Sequence, residues 1–146
     1  MKRFVISSVL GRALLAFMVL AFATALQAGT VEKQGKAWLD AQKDPAEVNV
    51  NGMWDSQAFG ALSLNQATGS RDVDGSGGGY ELTGVVSGKR LYLLFATKRG
   101  TVDYCAILIS DSDNSFAGSY SDRQTRLRFG GGLCQEKSRP MYMKKK

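Results

Sequence analysis

The side chains whose type and spacing invite chemistry here are the acidic residues around a glycine-rich run and two distant cysteines. Asp72-Val73-Asp74-Gly75-Ser76-Gly77 sets oxygen ligands at the first, third and fifth positions of a calcium loop, with glycine at the sixth. The pattern then fails, because Thr83 stands where the bidentate glutamate belongs and Glu81 comes two residues early. A glycine-rich hairpin tip is the simpler reading, and no metal site is expected. Asp72 or Asp74 with Glu81 would also be the pair for a carboxylate-based hydrolase, if they converged in one cleft with one pKa raised. The chain has no histidine. Ser-His-Asp and Cys-His nucleophiles and imidazole zinc sites are thereby excluded. No catalytic residue and no cofactor are expected, and the hydrolase is the third choice.

Cys105 and Cys134 are the two cysteines. Their meaning depends on the compartment, which the first 28 residues address. Met1-Lys2-Arg3 and Arg12 are basic, Ala13 to Ala23 is apolar, and Ala23-Thr24-Ala25 offers a small-x-small cleavage pattern, with Ala28 a second end point. This reads as a secretory signal peptide, the apolar run being too short to span a bilayer. A periplasmic or secreted protein favours oxidation, so Cys105 and Cys134 are expected to form one disulfide, worth roughly 3 kcal/mol.

The formal charge of +6 is unevenly placed. Lys2, Arg3 and Arg12 belong to the leader, and Lys144 to Lys146 read as a basic tail. Setting these aside leaves 13 basic residues against 13 acidic ones. No nucleic-acid partner is indicated. Gly130-Gly131-Gly132 lacks the helix and lysine of a phosphate loop, and Arg123, Arg126 and Arg128 read as a solvated strand face.

The elements that must hold these residues divide at about residue 48. Residues 29–47 hold a short amphipathic helix, Thr30 to Lys43, with Val31, Ala37-Trp38 and Ala41 as its stripe and Asp44-Pro45 ending it. Residues 48–143 form a β domain. Its strands are expected at Val48–Trp54, Gly60–Gln66, Ser70–Asp74, Tyr80–Val86, Arg90–Thr97, Thr101–Ile109, Phe116–Ser121 and Thr125–Phe129. Turns this short force antiparallel hairpins, giving an up-and-down barrel or a sandwich of about eight strands. The pair Arg90–Thr97 and Thr101–Ile109 is apolar on both faces. Its outer side needs a cover: the helix through Trp38, a partner, or a second copy. An outer-membrane barrel is not expected, given short strands, outward Arg126 and Arg128, and terminal lysines.

Gly52-Met53-Trp54 at the first strand, then Leu82-Thr83-Gly84 and Ala117-Gly118-Ser119-Tyr120, resemble the calycin group of lipocalin- and avidin-type secreted barrels. The resemblance implies a tryptophan plugging one end and a small ligand entering the other. The avidin biotin cage needs several tryptophans, and the strand region has Trp54 alone, so biotin binding is not implied.

The expected function is non-catalytic binding outside the cytoplasm. In one version Leu62, Leu64, Leu82, Phe95 and Phe129 line a pocket for a small apolar molecule. In the other the barrel fills itself, and Tyr92, Leu94, Ile107 and Ile109 meet a protein partner or a second copy as a homodimer. Eight strands suit either outcome.

Overall fold

A computed structural model describes residues 32–122 and 138–146. The expected signal peptide of residues 1–28 and the expected strand Thr125–Phe129, with Arg123, Arg126, Arg128, Phe129 and Cys134, lie outside the described residues.

Eight strands form one closed antiparallel barrel in chain order. They are β1 (Gly52–Ser56), β2 (Gly60–Asn65), β3 (Asp72–Gly77), β4 (Tyr80–Ser87), β5 (Arg90–Ala96), β6 (Val102–Ser112), β7 (Ser115–Asp122) and β8 (Arg139–Lys145). The closing strand therefore differs from the expected Thr125–Phe129. Residues Arg139–Lys145, read as the end of the domain and a tail, pair with β7 and with β1 and leave the barrel without an edge. Alternation explains this strand: Met141 and Met143 are buried, while Tyr142 and Lys144 are exposed. Lys144 lies opposite Asp55, Lys145 stands 5.6 Å over the Trp54 ring, and the Lys146 ammonium is 3.6 Å from the Asp55 carboxylate. The three lysines are thus bound to the barrel wall rather than forming a solvated tail.

The interior is filled by its own side chains. Trp54, Leu62, Leu91, Leu93, Phe95, Leu108 and Met141 have no exposed area, which leaves no water-sized space beside them. Room for these large residues comes from inward glycines set opposite leucines: Gly75 against Leu64, Gly84 against Leu93, Gly118 against Leu108. Such pairing of small and large positions lets strands of a narrow barrel approach closely.

One helix, α1 (residues 32–40), lies against the outside. Gly35 sits against Leu94, Leu39 is buried, and the Trp38 ring meets the edge of Tyr92 at 5.4 Å. The expected anchor Trp38 is in place. The stripe facing the sheet, however, is buried Gly35 and Leu39 with half-buried Trp38, while Ala37 and Ala41 are exposed. A Cβ at position 35 would come within 2.9 Å of the Leu94 side-chain tip, so glycine there lets the helix lie close to the sheet despite its low helix propensity. Among the described residues no helix is long and apolar enough to cross a membrane.

Candidate functional site

The chain order of an up-and-down barrel sends alternate connections to opposite ends. One end receives the β2–β3, β4–β5 and β6–β7 turns and the segment leading into β1. There Val50 and Trp54 close the barrel. The Trp54 indole N–H donates to the Val50 carbonyl at 2.7 Å, and its ring meets Phe116 edge-on at 5.3 Å. Gln66, itself buried, accepts from the Val50 N–H at 2.7 Å and donates to the Ser70 carbonyl at 2.8 Å. The Trp54 indole, the Val50 backbone and the Gln66 amide are thus paired, as burial requires.

The other end is aromatic. Phe59, from the β1–β2 turn, stacks on Phe95 at 4.2 Å. Tyr80, Tyr104 and Tyr120 surround it at 6.1, 5.3 and 5.1 Å, their planes 67–89° from its own. Phe95 is fully buried, whereas Phe59 and the three tyrosines are half-buried. Centroids 4–6 Å apart mean rings in contact, so this end is closed as well. Burial first, then the adjoining Tyr104, pushes the Tyr80 phenol above its ordinary pKa. Tyr80 therefore remains a hydrogen-bond donor further into alkaline pH than a free tyrosine. The exposed Arg139 opens β8 opposite Tyr120, and the neighbouring Tyr120 hydroxyl holds its guanidinium above the ordinary range. A bulge supplies the remaining polar group. Phe95 pairs with Tyr104 and Ala96 with Val102, so Asp103 is the extra residue of β6. Bulges of this kind re-aim side chains at barrel rims.

No protein-family model matches this chain, and neither does any curated protein or solved structure.

The expected pocket residues Leu62, Leu64, Leu82 and Phe95 do share the interior, but as packed core at 2% exposure or less. Of the expected interface residues, α1 covers Tyr92 and Leu94, which are 7% and 6% exposed. Ile107 is half-buried, and Ile109 keeps 46% of its surface in solvent. Ile109 pairs with Ala117, and Ala117 with Tyr142, which is 55% exposed, so the apolar row continues onto β8. Cys105 lies on this same outer face, fully buried, with its sulfur 3.9 Å from the Ser121 carbonyl oxygen.

The carboxylates of the failed calcium pattern are strand residues, not loop ligands. Asp72 and Asp74 project outward from β3, and Asn65 donates to Asp74 at 3.3 Å. Both line an outer groove of about 640 Å³ beside α1, with Lys36, Asp40 and Arg71, but without Glu81. The hairpin tip is Gly78-Gly79, beyond the residues of the motif, and among the described residues no cluster suits a metal ion.

Sequence reasoning missed the aromatic end. Phe59, Tyr80, Phe95, Tyr104 and Tyr120 lie far apart in the chain, and only the meander gathers them. A signal existed, in that each stands beside a connection or strand end at this same end of the barrel.

Proposed function

We propose that this chain is an exported, non-catalytic binding protein of calycin-like type, whose contact surface is the aromatic end of the barrel rather than its interior. The observation that carries this reading is the set Phe59, Tyr80, Tyr104, Tyr120 and Arg139, partly solvent-exposed at one end of a filled barrel. Tyrosine, phenylalanine and arginine are the residues that dominate binding surfaces. A wholly internal apolar ligand would have to displace the core, which costs several kcal/mol per large side chain. Trp54 plugging the opposite end supports the calycin likeness, and the leader-like residues 1–28 support export. The Cys105–Cys134 disulfide belongs to the same reading: the denatured mature protein should weigh two hydrogens less than its reduced form, and equal masses would remove it.

Tyrosine nitration tests the surface without a known partner. Protein inside the exporting compartment and purified protein are labelled in parallel and compared site by site. We expect Tyr104 and Tyr120 to be protected in place and reactive once purified, with Tyr142 reactive in both. Equal labelling of all three in both samples defeats the proposal. The row of exposed Ile109 and Tyr142 with half-buried Ala117 between them favours a second reading, association through the outer wall. Protection of Tyr142 alone would install that reading instead.

A further inference from the structure

We propose that the aromatic end takes a carbohydrate, with pyranose rings lying on the part of the half-buried Phe59 and tyrosine rings that solvent reaches; this rests on the proposed function above. The polar groups around the rings argue for the ligand class. Phenol hydroxyls at Tyr80, Tyr104 and Tyr120 both donate and accept, Asp103 only accepts, and Arg139 only donates. That mixture suits a ligand covered in hydroxyls, which also do both. The charges are of both signs, Asp103 near Tyr80 and Asp122 near Arg139, so a strongly charged ligand of either sign meets repulsion as well as attraction. Sugar C–H bonds carry slight positive charge and pack on the negative face of an aromatic ring, which leaves the hydroxyls at the ring edge for the polar rim. A peptide has less to hold. The closed barrel offers no free strand edge for strand addition, the commonest way a sheet protein captures an extended chain.

The ring contacts add a geometric reason. Phe59 is fixed from below by its stack on Phe95 and from the sides by three tyrosines. A surface held this firmly loses little conformational entropy on binding, which matters most for ligands whose individual contacts are weak.

The test is a side-chain NMR titration of the mature protein with chitotetraose, cellotetraose, maltotetraose and mannotetraose, each to millimolar concentration. At least one should produce saturable shifts in the rings of Phe59, Tyr104 and Tyr120. The variant Tyr120→Phe keeps the ring and removes the hydroxyl that Arg139 meets, and should bind the same sugar about tenfold more weakly. Co-sedimentation with insoluble chitin and cellulose then separates a polymer ligand from a free oligosaccharide, either of which upholds the inference. Shifts confined to other faces, or no shift with any of the four sugars, overturn it. In that event the nitration result decides what else falls. Protected Tyr104 and Tyr120 would leave the aromatic end occupied by a protein, and unprotected ones would remove both readings together.

Discussion

Replacing Trp54 with alanine should cost about 4 kcal/mol, visible as a large drop in the urea midpoint with little change in slope. The estimate has two parts. The indole has no exposed area and touches Phe116 edge-on, so its removal opens a void that a closed barrel cannot collapse to fill. It also donates at 2.7 Å to the Val50 carbonyl, which would be left buried without that partner. Trp54→Phe separates the parts, restoring most of the volume but not the hydrogen bond, and should lose about 2 kcal/mol. Small domains are stable by roughly 5–15 kcal/mol, so the alanine variant should sit close to its folding threshold. A loss below that of Trp54→Phe would mean that the Val50 end is not the plug described here.

That plug was partly legible beforehand and the opposite end was not, for a physical reason. Hydrophobic alternation is a local signal. It places β2 and β4 within a residue or two, because their inward faces alternate with period two, while β5 and most of β6 stand out as runs apolar on both faces. Where other demands override alternation, the reading slipped. Val48 to Asn51 looks like strand but crosses the barrel end, where Val50 serves the plug. Gly75 and Gly77 look like turn residues, yet both pair within β3, because the chain needs bare backbone beside Leu64 and Leu62. β8 was hidden by Pro140 and by lysines that resemble a tail. Proline is tolerated there as the second residue of the strand, close to where the ladder begins.

The site depends on contacts that no local pattern encodes. Phe59 to Tyr120 spans most of the β domain, and the five rings meet only because each hairpin returns its chain to the same end. The need for a cover is legible in the sequence, since a pair of strands apolar on both faces requires one, and α1 supplies it over Tyr92 and Leu94. Trp38 was seen as the anchor of that cover. Gly35, the residue that lets the helix settle onto Leu94, was invisible until the helix and β5 were seen together.

The variant Gly118→Ala should be among the most damaging additions of a single methyl group to the barrel, costing about 3 kcal/mol. A Cβ at this position would overlap the Ile107 carbonyl oxygen and crowd the Leu108 backbone of the neighbouring strand. Both are main-chain atoms held in the β6–β7 ladder, so neither can swing aside as a side-chain tip would. The backbone torsion of Gly118 is not in the left-handed region, and the penalty is therefore steric closeness between strands rather than lost glycine freedom. Gly60→Ala supplies the contrast. Its φ is +72°, with nothing within 4 Å of a new Cβ, so the cost there is backbone strain alone, about 1 kcal/mol. Denaturant unfolding of the two variants beside the parent chain should rank Gly118→Ala well below Gly60→Ala. If the two prove equal, the close approach of β6 and β7 is not what glycine serves at position 118. If the order holds, the glycines opposite Leu64, Leu93 and Leu108 are what allow eight strands to close around a core with no room left for a ligand. The binding proposed for this chain would then fall to the rings at the end or to the outer wall.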